Sequence, residues 1–514
     1  MHLRIVTAAL AAMPVFLSIP ALAQDKPLRV ALHSDVASIE PGVNRDGNSD
    51  MVLAHVVEGL VAFGDDLSVK PMLAESWTVS EDGKTYDFAL RDDVTFHDGT
   101  KLSGEIVRWN FERYLDAATS FQCLGRYNGA VGPRIETVEA PDEHSVRFTF
   151  SEPAPNFLIT MATVQCTPWI IAPSSLDEAG KFVKPVGTGP YEFKGQQTGR
   201  YLDLTLFEDY AALPGERDGY AGNKSATIPT LRFMTVPDAS TRANGLQSGE
   251  IDVIEEVEPG LVEILEKRGL QIDVTRTPAI MVLQLQTRKI EDVRVRQAIA
   301  HALDLSQLTE ALGEGFYEPN PAMIAEGTYY HDNSSAAWPQ PDPAKARALL
   351  AEAGYDGKPL SILVANRQNR VQVATIIQAL LGTAGINATL DVRDWATQLD
   401  HYRRGDYELA VFAYSARLDP LLTFQSLIGS KDEEPTRMWE SKQAEALLEK
   451  VSHLREPAER KVVFSELNTL MGKDVPILGL FNLTVISAFS ADLQGYKGWP
   501  GGTHRFWGVT RKSG

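Results

Sequence analysis

Residues 386–414 read INATLDVRDWATQLDHYRRGDYELAVFAY. Ile386, Ala388, Leu390 and Val392 alternate at period two and predict a strand, Trp395 to Arg404 reads as a helix, Gly405 punctuates, and Glu408 to Ala413 is a short apolar strand. Strand, helix and strand at this spacing make a βαβ unit, which requires a parallel sheet covered by helices. The pattern extends upstream to about Asp292. Val373, Ile376, Ile377 and Leu380 mark a helix ending near Gly385. Asp342-Pro343 offers an N-cap followed by proline at the first helical position, Ala346, Leu349, Leu350 and Ala353 share one face, and Gly354 stops that helix. Asp304 with Gln307 resembles a capping box opening another.

Toward the N-terminus the period changes. Trp77 and Val79 precede Asp82-Gly83, and Tyr86, Phe88 and Leu90 follow it, which predicts a hairpin with one buried face. Val94 and Phe96 lead into a second turn at His97-Asp98-Gly99, and Val146, Phe148 and Phe150 repeat the alternation. The early part is therefore antiparallel sheet with helices inserted. With 514 residues, 44% of them hydrophobic, the chain buries a large core and divides into two to four lobes. No repeat of about 20–50 residues and no long linker separates the halves, so the lobes are expected to be interwoven.

The first 23 residues read as an address. Arg4 is the only charge before Asp25, an apolar run extends from Ile5 to Ile19, and Ala21-Leu22-Ala23 supplies small residues for cleavage after Ala23. Pro14 and Pro20 interrupt a run that is shorter than a membrane span. No cysteine follows it to accept a lipid. A free, exported protein in the periplasm is expected. A formal charge of −19 opposes nucleic acid and anionic lipid as partners. Export also changes the reading of the two cysteines. Cys123 and Cys166, 43 residues apart, lack metal-site spacing but can pair in an oxidising compartment, and a bridge is expected.

Catalytic motifs are missing from the sequence. HExxH, GxSxG, a P-loop and a GxGxxG opening a helix do not occur. In Gly187-Thr188-Gly189-Pro190-Tyr191 the proline removes an N–H that a phosphate cradle would use, so a rigid turn entering a strand is expected. His97, His301 and His401 are scattered, and Glu255-Glu256 and Asp432-Glu433-Glu434 read as solvated loop charge. No metal or cofactor is expected.

Several ordered blocks carry a resemblance. Leu73-Ala74-Glu75-Ser76-Trp77, Ser80 to Tyr86, Leu90-Arg91, Val94 to Thr100, Val186 to Tyr191, Leu246 to Asp252, Val293 to Ile299 and Ala302-Leu303-Asp304 occur in that order, with Gly385 to Pro420 completing the last third. Together they resemble the extracytoplasmic solute-binding proteins of the peptide and nickel ABC transporter family. The resemblance covers nearly the whole chain after the export segment. It implies an α/β, two-lobed periplasmic-binding-protein fold of type II with an extra domain and a discontinuous first lobe. The pieces would be 24–55, 185–285 and 476–514 for the first lobe, 56–184 for the extra domain and 286–475 for the second lobe. Such a protein is a monomer that closes on a small-molecule solute, a short peptide or anionic peptide-like compound, and hands it to a membrane ABC permease.

The resemblance also places site residues. Trp77, Phe96 and Gly99 are expected to be architectural, and Arg91 to anchor a loop. Solute contacts are expected in the βα loops of the last third, where α/β crevices open at the carboxyl ends of strands. Dipeptide binders of the family hold the peptide's α-amino group with an aspartate at the position of Arg417, while Asp419 lies two residues beyond. Arginine donates to carboxylate and cannot accept from ammonium. If Arg417 faces the cleft, the solute presents an anion there. If the loop shifts by two, Asp419 restores the amine grip; alternatively Arg417 pairs with an acid and never meets solute. Arg367 matches a carboxylate-binding arginine across a short gap, Trp395 a tryptophan near the site, and Tyr414 lies in the same loop region. A nickel or metal-chelate cargo is the alternative within the family. Outside it stand an exported hydrolase and an extracytoplasmic chaperone or sensor partner.

Overall fold

The computed structural model describes residues 26–512 apart from 314, 326–328, 418, 455 and 502–503, so the export segment and its cleavage point lie outside the described residues. A ten-stranded mixed sheet runs through the molecule in the order Ala388–Arg393, Leu360–Ala365, Leu409–Tyr414, Gln271–Leu285, Ile477–Phe489, Val253–Ile254, Leu28–Leu32, Thr230–Thr235, Tyr201–Leu206 and Tyr191–Gln197. The βαβ reading holds. Leu360–Ala365 is parallel to both Ala388–Arg393 and Leu409–Tyr414, and the helices Gln368–Thr383 and Trp395–Arg404 connect them. The second strand begins at Ala388, two residues later than the alternation suggests, and forms the sheet edge, which leaves Val392 42% exposed.

Local signals acted where expected. Asp342 accepts from the Lys345 N–H, and Gly354 and Gly405 end their helices in the left-handed region at φ 66° and 65°. Asp304 accepts from the N–H groups of Ser306 and Gln307, but the Gln307 amide returns to the Asp304 carboxylate (2.8 Å) and not to its backbone as a full capping box would.

A separate four-stranded antiparallel sheet holds Ala74–Val79, Thr85–Leu90, Ser145–Phe150 and Ile135–Asp142 in that order. Trp77 pairs with Phe88 and Val79 with Tyr86, as the hairpin reading requires. Tyr86, Phe88 and Leu90 are buried; Val79, at the end of an edge strand, is 43% exposed. Gly187 and Gly189 lie against the carbonyl groups of Val56 and His55, where a Cβ would collide with backbone. The N–H groups of Gly189 and Tyr191 donate to the same two carbonyls at 3.0 Å, so the segment is a docked turn entering the strand at Tyr191. Cys123 and Cys166 are joined, with Cα atoms 5.4 Å apart.

The hydrophobic residues gather into distinct cores. One unites Leu28, Val30, the four-stranded sheet and the distant Phe506, Trp507 and Val509; another spans Ile280 to Phe481; a small third includes Ala31, Leu246 and Ile486. The strands Gln271–Leu285 and Ile477–Phe489 run antiparallel between these cores. Their register breaks between Arg276 and Ile280. There Pro278 has no N–H to offer, and the Thr277 hydroxyl donates to the Leu483 carbonyl (2.9 Å) while accepting from the Ala279 N–H (3.2 Å). The ladder is replaced by side-chain bonds at the level where one core gives way to the next.

Candidate functional site

The carboxyl ends of parallel strands face each other across the break. From one side come Leu28–Leu32 and Val253–Ile254, followed by His33 and Glu255-Glu256; from the other come Leu360–Ala365, Ala388–Arg393 and Leu409–Tyr414, followed by Arg367, Trp395 and Arg417. In open α/β sheets this is where ligands bind, because loops diverge there and helix N-termini point inward. A small pocket, partly open to solvent, is lined by Pro278, Ile280, Met323, Tyr414, Arg417 and Thr423 among others.

Four of the five residues expected at the site are physically connected. The Arg367 guanidinium lies over the Trp395 ring at 5.2 Å, Trp395 stacks on Phe412 at 5.6 Å, Phe412 meets Tyr414 edge-on at 5.7 Å, and the Arg417 guanidinium lies 5.3 Å from the Tyr414 ring. Phe412 and Tyr414 are buried, so this part of the row fixes the spacing of the two arginines. The Tyr414 hydroxyl accepts from the Gln284 amide (2.9 Å), and burial raises its pKa well above the ordinary value.

Asp419 is not brought into the cleft. It is buried, and both its carboxylate oxygens are engaged by Arg460 at 2.8 and 2.9 Å. One of them also caps the helix Pro420–Leu427 through the Leu421 N–H (2.9 Å). An acceptor held twice by a guanidinium has little left for an ammonium group. Arg417 forms no pair with Asp419. It donates to the Leu422 carbonyl (3.3 Å) and the Ser426 hydroxyl. Burial is the main influence lowering its pKa, and Arg45 and Arg437 add like-charge repulsion.

Sequence reading missed several neighbours. Glu255 is not solvated loop charge, being 14% exposed and paired with His504 at 2.7 Å, and Glu256, one-third exposed, lies 3.7 Å from His33. Glu256 adopts φ 54° at the strand end. Burial alone would raise its pKa, but His33, Arg367, Arg370 and Arg242 hold it down to about 2. Arg370, which donates to the Met281 sulfur (2.9 Å), is itself pushed down to about 10, chiefly by burial, with Arg367 adding repulsion and Glu256 opposing the shift. The available signal was positional, since an acidic pair directly after the strand Val253–Ile254 must lie at a carboxyl end. Arg126 and Arg437 approach Arg417 from other elements, and nothing local marks them. The three singled-out histidines are structural: His97 meets the Gly189 carbonyl (2.9 Å), His301 that of Gln340 (2.6 Å) and His401 that of Asp406 (3.0 Å). Arg91 anchors a loop by gripping Asp93 twice at 2.9 Å and the Ala211 carbonyl.

Comparison with known proteins gives these observations a family. Residues 68–435 match the middle region of the bacterial extracellular solute-binding proteins, family 5. The glutathione-binding protein GsiB of Escherichia coli K12 is 27% identical over 491 residues, covering 92% of each chain. Among solved structures, the periplasmic binding protein DppA of Helicobacter pylori in complex with the peptide STSA superposes with a TM-score of 0.83 at 25% identity, covering 95% of this chain and 98% of that one. AgaA of A. tumefaciens R10, in complex with agropinic acid, gives 0.81 at 25% identity, covering 95% and 99%. These are binding proteins of transporters and not enzymes. With the family model spanning most of its length, the chain belongs to the family 5 extracellular solute-binding proteins.

Proposed function

We propose that this chain is the extracytoplasmic receptor of an ABC importer, closing on a short peptide-like or amino-acid-derived solute and delivering it to a membrane permease. The observation that carries the reading is Arg417. Its guanidinium stands just past the carboxyl end of Leu409–Tyr414, with neutral acceptors only among the described residues, at the position where the resemblance to the family's dipeptide binders would put an aspartate. That position calls for an anionic group on the solute. Relatives named for glutathione and agropinic acid support such a cargo, since both are amino-acid derivatives carrying carboxylates. The excess of guanidinium charge opposes a bare metal cation. The proposed division is 24–55, 185–285 and 476–514 for the first lobe, 56–184 for the extra domain and 286–475 for the second; the change of core at Ile280 and Phe481 supports it. Cleavage after Ala23, a periplasmic location and a monomeric state complete the proposal. Among the described residues no helix is long and apolar enough to cross a membrane.

Native mass spectrometry of protein purified without refolding identifies retained cargo, and thermal shift with that compound tests it. At a hundredfold excess over Kd the ligand adds about 2.7 kcal/mol of stability. Arg417→Ala should weaken binding by about 1.5–3 kcal/mol, roughly 10- to 150-fold in Kd, and Arg417→Lys should recover only part. Recovery of chemically altered solute at a rate proportional to protein would overturn the reading.

A further inference from the structure

Three guanidinium groups converge on one helix from three directions. Arg417 comes from the loop before Pro420–Leu427, Arg437 from the loop after it, and Arg126 from the extra domain. Arg126 donates to the Gln425 amide oxygen (2.8 Å) and more distantly to the Leu422 carbonyl (3.5 Å), which Arg417 shares at 3.3 Å; Arg437 donates to the Gln425 carbonyl. All the acceptors these groups reach among the described residues are neutral. Among the described residues no carboxylate lies within ion-pair distance of any of the three, whereas neighbouring Arg45 is held by Asp50 (2.8 Å) and Arg460 by Asp419. Arg367 and Arg370, along the aromatic row, have Glu256 to oppose them. Among the described residues the three converging arginines have no such counter-charge.

Their arrangement is unfavourable without a ligand. Burial pushes Arg126 down to about 10, and Arg417 and Arg437 add repulsion. The partial negative charge of one helix C-terminus, about half an elementary charge, cannot neutralise three cations. Arg126 is nonetheless held firmly. It ends the short turn Leu124–Arg126, its N–H donates to the Cys123 carbonyl (2.9 Å), and the next residue, Tyr127, donates its hydroxyl to the Cys166 carbonyl (2.8 Å). Both anchors are the bridged cysteines.

We propose that Arg126, Arg417 and Arg437 form a pocket for a solute whose one end carries two negative charges, and that the Cys123–Cys166 bridge is the positioning element that keeps Arg126 in it. This rests on the receptor reading above and narrows its cargo to compounds with a dianionic terminus. Paired carboxylates and a phosphate monoester share that chemistry. A single carboxylate would leave two of the three cations uncompensated.

Calorimetric titration of the full exported chain with the dipeptides Ala-Glu, Ala-Gln and Ala-phosphoserine separates these sources. Ala-Glu ends in two carboxylates and Ala-Gln in one, at nearly equal size. The dicarboxylate should be preferred by at least about tenfold, and the preference should collapse in Arg126→Gln and Arg437→Gln. Tighter binding of the phosphoserine peptide, used as its C-terminal amide so that the phosphate alone supplies both charges, with the same dependence assigns the pocket to phosphate. Replacing both cysteines with serine should reduce the preference as Arg126→Gln does, and adding Arg126→Gln to that variant should cost nothing more. Equal affinity for Ala-Glu and Ala-Gln, unmoved by either arginine substitution, overturns the dianion pocket and leaves the receptor reading standing. In parallel, citrate and inorganic phosphate are compared with chloride at matched ionic strength by thermal shift. Stabilisation that needs Arg126 and Arg437, without binding of any of the peptides, retains the pocket and discards a peptide-like cargo. With neither peptide binding nor anion stabilisation, both fall.

Discussion

Removing the Asp419 carboxylate separates the two candidate residues of the cleft loop, because the structure makes one of them a strut. Asp419 and Arg460 are each 6% exposed at the side chain and share two hydrogen bonds of 2.8 and 2.9 Å. Deleting one partner of such a pair strands a buried charge, at a cost of about 3–5 kcal/mol. In Asp419→Asn the lower end applies, since Arg460 keeps its bond to the Tyr330 hydroxyl (2.9 Å) and its place over the Tyr330 and Phe464 rings, while asparagine still caps the helix. Asp419→Ala also loses the cap, for about 1 kcal/mol more. For a cooperative unit of about 150–250 residues, a loss near 3 kcal/mol lowers the midpoint by about 6–12 °C. Urea and thermal unfolding measure the loss, and calorimetry well below the midpoint measures affinity for retained cargo, which should change less than about twofold. An Asp419→Asn protein that melts with the wild type yet loses its cargo would refute the assignment and restore the amine-gripping aspartate.

Two further outcomes follow from other parts of the fold. Gly187→Ala forces a Cβ onto the Val56 carbonyl, a backbone atom that cannot swing aside, so the variant should unfold several degrees lower or fail to accumulate; normal melting would show that the turn is not docked as described. His55 is buried with Nδ1 at the Met51 carbonyl (2.8 Å) and Nε2 accepting from the Phe506 N–H (3.1 Å), an arrangement that only the neutral ring satisfies, and burial lowers its pKa from 6.5 to about 3. Between those values the unfolded chain takes up a proton that the folded chain refuses. This contribution to stability is therefore lost as pH falls from about 6.5 toward 3, at up to about 1.4 kcal/mol per pH unit. The wild-type advantage over His55→Gln in urea should shrink on acidification, and an advantage independent of pH would remove His55 as the cause.

Much of the architecture could be read from residues acting on their neighbours. Asp342, Gly354 and Gly405 mark helix ends because a cap or a left-handed turn is decided within a few residues, and the 386–414 period needs no distant partner to be recognised. Val79 and Val392 show the limit, because alternation gives a face but not whether a strand stands at an edge. In the site, Arg417 was legible as a departure from a family pattern. Whether it faced an acid or a solute was not, because the answer depends on Arg460, which takes Asp419 away. Arg126 is 299 positions from the Gln425 it meets, and Glu256 lies far from Arg370 along the chain; such encounters are products of topology. Glu255-Glu256 was misread for the same reason, since His504 and Arg367 arrive from elsewhere.

The composition of the cores carries a consequence for the order in which the molecule takes shape. The core from Ile280 to Phe481 is assembled from one contiguous stretch, whereas the first closes only when Phe506, Trp507 and Val509 reach Leu28, Val30 and His55. Contacts across so long a loop form late, since the closure entropy comes before any reward. A ribosome releases the N-terminal half first, yet that half cannot complete its interior until the last residues have been made. In a chain exported as proposed, the delay coincides with translocation, when a precociously finished domain would be an obstruction.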